Sequence, residues 1–451
     1  MQKKKGETMK RKIQQLKPLS GFMELLPAEQ ILFNQMLDIV RRNYELFGFI
    51  PLSTPLIEKE EVLMAKGGIE TDKQIYRIQK GKVDLALRFD LTVPLARYVA
   101  QYYADLQFPF RRYQIGKVFR GERAQKGRYR EFYQCDIDII GNETLSLAND
   151  AEIPGVIYAT FRNLGLGAFT IRINNRKILN GFFQSQGLEK QAMEILRIID
   201  KFKKIGKEQV KSNLLSFGLS IDQTEKILSF ITIEGENDQI ISQLCEFGVT
   251  NAIFIEGVDE LKQVCQMVGL FGVPRECLKI DLAIARGLDY YTGTVYETTL
   301  NDCPEIGSIC SGGRYDNLAE AFTDRKLPGV GISIGFTRLF SQLKDVGVIK
   351  AGNSTPARVM IIPMDNQVAR AVEISAKFRA NEISTFVYLE QKTVGKIFKI
   401  ADRLKIPFAL IIGNTEVEQG LVSLKDMASG SQDVFSAEEA IDKILSLEIR
   451  R

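Results

Sequence analysis

The feature that most constrains the fold is a hydrophobic pattern that changes twice along the chain. Short apolar runs rich in β-branched and aromatic residues, separated by turn formers, fill the first part of the chain and resume near Leu278. Such runs predict strands, and because few of them alternate with helices they favour an α+β fold, an antiparallel sheet flanked by helices. The predicted strands are 82–89, 110–119, 132–140, 169–173, 280–282 and 294–299.

Helix-forming stretches precede and interrupt these strands. Apolar residues at helical spacing predict a helix over 28–48, which the turn before Pro51 ends. Between about 190 and 270, helical periodicity with mixed charge replaces the strand pattern. We predict that this stretch is a helical insertion within a domain spanning 18–348, and we expect no chemistry from it.

A second domain is predicted after a linker. Residues 350–356, Lys-Ala-Gly-Asn-Ser-Thr-Pro, have the small residues and the proline typical of a connection between domains. Strands and helices then alternate, as strand 359–362, helix 367–379, strand 384–389, helix 394–404, strand 408–412, a hairpin, and helix 437–447. This alternation of strands and helices predicts a small α/β domain over 357–451 with a mostly parallel sheet.

The composition is that of an ordinary globular protein, with 45% hydrophobic and 26% charged residues. No apolar run approaches the roughly 18 residues that suggest a membrane span. The six cysteines are widely spaced and form no CxxC pair, as is typical of reduced thiols. We therefore expect a cytoplasmic protein with no membrane segment. The basic stretch 1–17 has no apolar run behind it, and a flexible tail and a nucleic-acid-binding arm both explain it.

The chain contains no histidine and no tryptophan. The first absence excludes acid–base catalysis by histidine, Ser-His and Cys-His nucleophile pairs, and histidine-ligated metal sites. Any chemistry must therefore depend on Arg, Asp, Glu, Tyr, backbone groups or the substrates themselves. The formal net charge of +4 neither requires nor opposes a nucleic-acid partner.

Residues 119–138, FRGERAQKGRYREFYQCDID, hold five basic side chains in and beside a glycine-containing loop between two predicted strands. Guanidinium groups bind phosphate oxygens in bidentate pairs, so this loop suits a triphosphate. Phe132 offers a surface on which a base can stack, and Glu122 offers a polar contact. Taken alone, a solvated basic hairpin explains the segment equally well.

Three further segments carry unusual combinations of residues. Residues 285–297, ARGLDYYTGTVYE, follow an apolar strand and bring Arg286 beside Tyr290 and Tyr291. Residues 310–318, CSGGRYDNL, contain the glycine pair of a turn or of a close ligand approach. Residues 329–339, GVGISIGFTRL, alternate glycine with apolar residues before Arg338. Ordinary packing of strands and helices also accounts for each segment by itself.

In this order and separation, the four segments resemble class II aminoacyl-tRNA synthetases and, within that class, the histidyl-tRNA synthetase family. The likeness covers nearly the whole chain, because 119–134 resembles motif 2, 329–339 resembles motif 3 and 49–55 weakly resembles motif 1. Its specific part is RGLDYY at 286–291 with SGGRYD at 311–316, a pair that the threonyl, prolyl and glycyl types lack. Residues 357–451 resemble the anticodon-binding domain of the same group.

The resemblance implies roles for individual residues. Arg286 and Arg120 match catalytic arginines that neutralise charge on the histidine carboxylate and the α-phosphate. The residues that match the L-histidine site are Asp90, Leu91, Thr92, Arg120, Gln134, Asp138, Arg286, Tyr290, Tyr291 and Tyr315. Those that match the ATP site are Arg120, Glu122, Arg128, Phe132 and Arg338. The candidates for tRNA contact are Gln125, Lys126, Lys396, Lys399 and Arg403, although a solvated face also explains the last three.

The implied activity is that of a histidine–tRNA ligase. L-Histidine and ATP give histidyl-adenylate and pyrophosphate, and histidine then passes to the 3′ end of tRNA-His. Mg2+ accompanies ATP, with protein ligands that the sequence does not identify, and the family implies a homodimer. The alternative is a non-catalytic relative that serves as a regulatory subunit or a sensor of uncharged tRNA. Arg120, Gln134, Arg286 and Arg338 favour the catalyst, since such relatives keep the fold and lose the chemistry.

Overall fold

The computed structural model describes residues 17–65, 69–284 and 291–448. The described chain forms two compact units. One comprises the residues up to Glu24 together with Asp38–Ile349, and the other comprises Leu25–Leu37 together with the residues from Lys350 onward. None of the described helices combines the length and the apolar character that crossing a bilayer demands.

The structure contains most of the helices and strands that the hydrophobic periods predict, together with several that they do not. The helices are α1 (Pro27–Leu46), α2 (Glu60–Met64), α3 (Ile69–Gln74), α4 (Thr92–Gln101), α5 (Ala148–Asn163), α6 (Arg176–Ser185), α7 (Ala192–Ile199), α8 (Phe202–Ser216), α9 (Ile221–Ile231), α10 (Asn237–Glu246), α11 (Ala252–Val268), α12 (Phe336–Asp345), α13 (Val368–Ala380), α14 (Val394–Leu404), α15 (Asn414–Gln419) and α16 (Ala437–Glu448). The strands are β1 (Ile50–Pro51), β2 (Ile57–Lys59), β3 (Tyr76–Lys80), β4 (Val83–Leu87), β5 (Phe110–Phe119), β6 (Glu131–Ile140), β7 (Phe169–Asn175), β8 (Leu278–Ile280), β9 (Thr294–Leu300), β10 (Ser308–Tyr315), β11 (Gly329–Gly335), β12 (Val359–Pro363), β13 (Thr385–Val387), β14 (Phe408–Ile412), β15 (Val422–Asp426) and β16 (Gln432–Phe435).

An eight-stranded sheet organises the first unit, in the strand order β1-β5-β6-β11-β10-β9-β7-β8. Its central pairings are antiparallel, which confirms the predicted sheet, and only the outermost pairs, β1 with β5 and β7 with β8, are parallel. The long hairpin of β5 and β6 joins Phe110 to Ile140 at one end and Phe119 to Glu131 at the other. This hairpin forms the second and third strands of the sheet and has the basic loop at its tip.

Two predicted strands of this region differ from the structure. The prediction at 280–282 is wrong by two residues, because β8 ends at Ile280. The Asp281 carboxylate accepts a hydrogen bond from the backbone N–H of Ala283 at 3.1 Å, which turns the chain away from the sheet. The strand predicted at 82–89 is β4, which belongs to a separate three-stranded sheet with β2 and β3.

Helices α7 to α11 occupy the stretch in which helical periodicity replaces the strand pattern. Helix α11 packs closely on α6 because glycines stand at the contact. A Cβ on Gly181 would lie 2.4 Å from the backbone N of Phe254, and one on Gly257 would lie 2.7 Å from the backbone N of Ile178. The Phe182 and Phe230 rings stack with centroids 4.3 Å apart, which ties α9 to the same apolar cluster.

The second unit contains a five-stranded sheet in the order β13-β12-β14-β15-β16. The pairings of β12 with β13 and β14 are parallel, whereas β14–β15 and β15–β16 are antiparallel. The prediction of a mostly parallel sheet is therefore wrong, because the hairpin β15–β16 adds two antiparallel strands to the edge at β14. Alternation along β12 buries Ile361 against α13 and α16 on one face and Ile362 against α14 on the other.

Candidate active site

Three polar side chains project from one face of β6, the third strand of the eight-stranded sheet. Gln134, Asp136 and Asp138 alternate with Cys135 and Ile137, because successive side chains of a strand point to opposite faces. The three polar residues line a cavity, whereas Cys135 and Ile137 are fully buried. Strand alternation thus gives this cavity a polar floor.

The cavity has a volume of about 470 Å³. Its walls come from the chain that enters α4, the β5–β6 hairpin, β10, β11 and the first turn of α12. The predicted site residues that line it are Asp90, Thr92, Arg120, Glu122, Arg128, Phe132, Gln134, Asp138, Tyr291, Tyr315 and Arg338. The fold therefore gathers segments that are far apart in the sequence around one concave site.

Asp138 is held by partners on two other strands. The Arg112 Nη2 atom on β5 lies 2.6 Å from Asp138 Oδ2, and the Tyr315 hydroxyl on β10 donates to Asp138 Oδ1 at 2.7 Å. All three side chains are buried. Burial raises the pKa of Asp138 to about 6, although Arg112 and the Tyr315 hydrogen bond act in the opposite direction. The carboxylate form consequently predominates above that pH.

Glycines on β11 leave room for these two side chains. Gly331 pairs with Asp138 across the sheet, and a Cβ at Gly331 would lie 2.3 Å from Asp138 Oδ1. A Cβ at Gly329 would lie 2.3 Å from the Tyr315 ring. Gly329 and Gly331 thus allow Tyr315 and Asp138 to lie close to the β11 backbone.

Two more carboxyl groups line the same cavity. Burial raises the pKa of Asp136 to about 7, against the lowering effects of Arg112 and a hydrogen bond with Ser333. Asp136 Oδ1 is buried without a hydrogen-bond partner among the described residues. Asp90 precedes α4, accepts a hydrogen bond from the backbone N–H of Val93 at 3.1 Å, and has its pKa raised by burial. The floor is therefore rich in buried acceptors.

Sequence reasoning did not include Asp136 and Arg112 among the site residues. A signal for Asp136 was available, since it lies at the period of two between Gln134 and Asp138 on the predicted strand. No comparable signal existed for Arg112, whose role follows from its cross-strand pairing with Asp138. Arg112 is fully buried and does not line the cavity.

The β5–β6 hairpin forms part of the cavity wall, and this part carries arginines and an aromatic ring. The Arg120 Nε atom donates to the Phe89 carbonyl at 3.0 Å, and its guanidinium carbon lies 5.3 Å from the centroid of the Phe132 ring. Arg128 Nη1 lies 3.3 Å from Glu122 Oε2 and its side chain is 58% exposed. Guanidinium groups beside an aromatic surface are suited to the phosphates and base of a nucleotide.

Arg338 reaches the cavity from the first turn of α12. Its Nη2 atom donates to the Ile306 carbonyl at 2.7 Å, and its Nε donates to Gln342 Oε1 at 3.1 Å. These two contacts fix the guanidinium, which belongs to the segment that follows β11. The cavity thus receives basic side chains from two separate parts of the chain.

The other predicted site residues do not line the cavity or lie outside the described residues. Leu91 is fully buried, and its carbonyl accepts a hydrogen bond from Arg112 Nη2 at 3.3 Å. Gln125 and Lys126 are exposed in the β5–β6 loop, and Lys396, Lys399 and Arg403 are exposed on α14. Arg286 and Tyr290 lie outside the described residues.

Known proteins resemble this chain over nearly its full length. The family described as Histidyl-tRNA synthetase matches residues 21–339, and the family described as Anticodon binding domain matches residues 358–447. The histidine–tRNA ligase of Clostridium tetani is 57% identical over 434 residues, which are 96% of this chain and 99% of that protein.

Solved structures give the same result. The histidyl-tRNA synthetase of Nostoc superimposes with a TM-score of 0.89 at 43% identity and covers 96% of this chain and 100% of its own. A Bacillus halodurans protein described as an ATP phosphoribosyltransferase regulatory subunit/histidyl-tRNA synthetase reaches a TM-score of 0.73 at 22% identity, over 88% of this chain and 98% of its own, which shows a shared fold. With these matches and the cavity of the eight-stranded sheet, the chain belongs to the histidyl-tRNA synthetase family.

Proposed function

We propose that this chain is a histidine–tRNA ligase, which activates L-histidine with ATP and then transfers histidine to the 3′ end of tRNA-His. The observation that carries the proposal is one cavity that combines buried carboxylates from β6 with arginines from the β5–β6 hairpin and α12. Identity of 57% to a histidine–tRNA ligase over 96% of the chain supports the same activity.

The carboxylate-rich part of the cavity is the proposed histidine site. Asp138 accepts a hydrogen bond from an imidazole N–H, with Tyr291 and Tyr315 beside it, because both tyrosines line the same cavity. Asp90, Thr92 and Gln134 receive the α-amino group of histidine. A buried acceptor that loses its partner costs about 1–3 kcal/mol, so apolar amino acids are rejected. Arg286 and Tyr290 complete the proposed site.

The arginine-rich part is the proposed ATP site. Arg120 binds the α-phosphate, Arg128 and Arg338 bind the outer phosphates, and the adenine stacks on Phe132. The Glu122 carboxylate, which pairs with Arg128, gives an additional polar contact. Each of these side chains lines the cavity, and guanidinium forks match phosphate oxygens in charge and geometry.

Mg2+ is the proposed companion of ATP. No group of three or more His, Cys, Asp or Glu side chains in 17–65, 69–284 and 291–448 could hold a metal ion. Mg2+ commonly uses one or two carboxylates together with phosphate oxygens and water, and Glu122 is suited to such a role. When bound, the ion neutralises charge on the outer phosphates.

The activation step needs no protein base. The histidine carboxylate is already ionised, so its oxygen forms a bond to the α-phosphorus while the bond to the bridging oxygen breaks and pyrophosphate leaves. Arg120, with Arg286 as its proposed partner, stabilises the charge that develops at the α-phosphate. This mechanism suits a chain that contains no histidine.

The transfer step joins histidine to the tRNA. A hydroxyl oxygen of the terminal ribose attacks the adenylate carbonyl, AMP leaves, and the hydroxyl proton passes to a substrate oxygen. Gln125 and Lys126 are exposed in the hairpin loop and are the proposed contacts for the acceptor end. Lys396, Lys399 and Arg403, exposed on α14, are the proposed phosphate contacts of the anticodon-binding domain.

A cytoplasmic homodimer is the proposed working form. Large apolar side chains lie exposed around β1 and β2, namely Leu46, Ile50, Leu56 and Ile57, and a second copy of the chain would cover such a surface. All six cysteines are free thiols, which suits a reducing compartment.

Charging of purified tRNA tests the proposal against a regulatory or tRNA-sensing role. The chain, ATP and radiolabelled histidine are incubated with a tRNA-His transcript, and with a tRNA-Asn transcript as the matched control. We expect acid-precipitable histidine on tRNA-His alone, and loss of that signal in Arg120→Gln. Binding of tRNA-His without any charging would instead favour the non-catalytic alternative.

A further inference from the structure

Arg112 is a buried cation behind the proposed histidine site. Its side chain is 0% exposed and is absent from the residues that line the cavity. Besides the 2.6 Å ion pair with Asp138, the guanidinium donates to the Leu91 carbonyl at 3.3 Å. Arg112 Nε and Nη1 are buried without hydrogen-bond partners among the described residues. Because burying a guanidinium costs free energy, stability alone is a weak reason for its presence.

We infer that Arg112 is a positioning residue for histidine recognition, which keeps Asp138 ionised and oriented so that the carboxylate accepts an N–H of the neutral imidazole. The inference rests on the proposed function, in which Asp138 binds the imidazole. An ionised carboxylate offers only acceptor sites, about two for each oxygen. Arg112 uses one on Oδ2 and Tyr315 uses one on Oδ1, so acceptor sites remain for the substrate.

Protonation of Asp138 would disturb this arrangement, because the carboxyl group would gain a donor where the substrate also brings a donor. Arg112 opposes that change directly, since its charge lowers the pKa of Asp138 while burial raises it. Tyr315 also donates a hydrogen bond to this carboxylate, but it carries no positive charge and cannot replace the Coulomb attraction of the guanidinium. Removal of the guanidinium is therefore expected to shift Asp138 toward its protonated form.

The surroundings of Asp138 contain two other carboxyl groups that can produce a similar pH dependence. The titratable or charged groups that face Asp138 or Arg112 are Tyr44, Arg88, Asp90, Asp136 and Tyr315. From β11, the paired residue is Gly331, which has no side chain. Arg112 also lowers the pKa of Asp136 and of Asp90, so a loss of Arg112 affects all three carboxyl groups. The experiment must therefore separate Asp138 from the other two.

The test is the pH dependence of the histidine KM in ATP–pyrophosphate exchange by Arg112→Met. Measurements from pH 7.0 to 8.5 keep the imidazole of the substrate neutral. At pH 7.0 we expect the variant to raise the histidine KM by about tenfold or more, as for the loss of a charge-assisted hydrogen bond, with an unchanged ATP KM. As pH rises the variant should recover, because Asp138 ionises again, whereas the native profile should stay flat.

Two further variants identify the group that titrates. Arg112→Lys keeps the charge and should retain a flat profile with a smaller rise in KM. The double variant Arg112→Met with Asp138→Asn should lose the pH dependence. If the double variant keeps the pH dependence, Asp136 or Asp90 is the group that titrates and the inference is wrong. An equal rise in the KM values of histidine and ATP, or a profile without pH dependence in Arg112→Met, also overturns it.

A spectroscopic measurement on the native chain does not depend on the folding of the arginine variant. Infrared difference spectra between the native protein and Asp138→Asn isolate the Asp138 carboxyl band. We expect an ionised carboxylate band at pH 7.5, both without and with histidine. A protonated carboxyl band in either state would overturn the inference. Absence of any histidine-dependent exchange by the native protein would instead count against the proposed function.

Discussion

A methyl group added at Gly331 is expected to disrupt histidine binding and to spare ATP binding. The Cβ of an alanine there would lie 2.3 Å from Asp138 Oδ1 and 2.3 Å from the Ile137 carbonyl oxygen. A relaxed contact between heavy atoms requires about 3.5 Å, so the neighbours must move by roughly 1 Å. The Ile137 carbonyl belongs to a strand that pairs with β11 on one side and β5 on the other, so it yields little. The β11 backbone at residue 331 must therefore move away from Ile137, and the Asp138 side chain must shift as well.

The expected magnitude follows from this displacement. Misplacement of a binding group by roughly 1 Å can cost on the order of 100-fold, so the histidine KM of Gly331→Ala should rise between about tenfold and 100-fold. The ATP KM should change by less than about twofold, because Arg120, Arg128 and Arg338 do not contact this position. Overpacking also costs about 1–3 kcal/mol, which lowers the melting temperature by several degrees.

The assay is ATP–pyrophosphate exchange with each substrate varied in turn, together with thermal unfolding. Gly269→Ala is the matched control, since a Cβ at this exposed position after α11 meets nothing within 4 Å. That control should match the native protein in both KM values. A native histidine KM in Gly331→Ala would refute the proximity of Asp138 to bound histidine, as would an equal change in both KM values.

Three other predictions concern stability and tRNA. Arg314→Met leaves the buried Asp150 carboxylate without its 2.6 Å ion pair and should lower the free energy of unfolding in urea by about 3–5 kcal/mol. A decrease below about 1 kcal/mol would contradict this prediction. Burial raises the pKa of Asp136 above its unfolded value of 3.8 to about 7, so stability is lost as pH rises toward 7. The melting temperature of Asp136→Asn, relative to that of the native protein, should therefore rise from pH 5 to 8. A difference between the two melting temperatures that does not change with pH would contradict this prediction. The exposed cations of α14 are Lys396, Lys399 and Arg403. Their replacement by alanine should raise the tRNA KM and weaken its dependence on salt, without changing ATP–pyrophosphate exchange. An equal loss of tRNA charging and of exchange would contradict this prediction.

The elements that the sequence predicts best are those that local pattern alone determines. The predicted strand 110–119 and helix 394–404 coincide with β5 and α14, because each has a strong period over its whole length. The C-terminal sheet was predicted less well, since the direction in which β15 pairs with β14 depends on contacts between separate segments. Local pattern gives no information on that direction.

The candidate site likewise contains residues that local pattern predicts and residues that depend on contacts between separate segments. The motifs predicted Arg120, Arg128, Arg338 and Asp138 as site residues, and all four line the cavity. They did not identify Arg112, whose contact with Asp138 requires the register of β5 against β6. They also gave no reason for Gly331, which becomes necessary only when β11 lies opposite the carboxylate. Cross-strand register is a property of the assembled sheet.

The central claim is that this cavity activates histidine, and ATP–pyrophosphate exchange with each of the twenty amino acids tests it most directly. We expect exchange with histidine alone, and a strong loss of that exchange in both Arg120→Gln and Arg286→Ala. Exchange with another amino acid, such as proline, or exchange with none, would contradict the account.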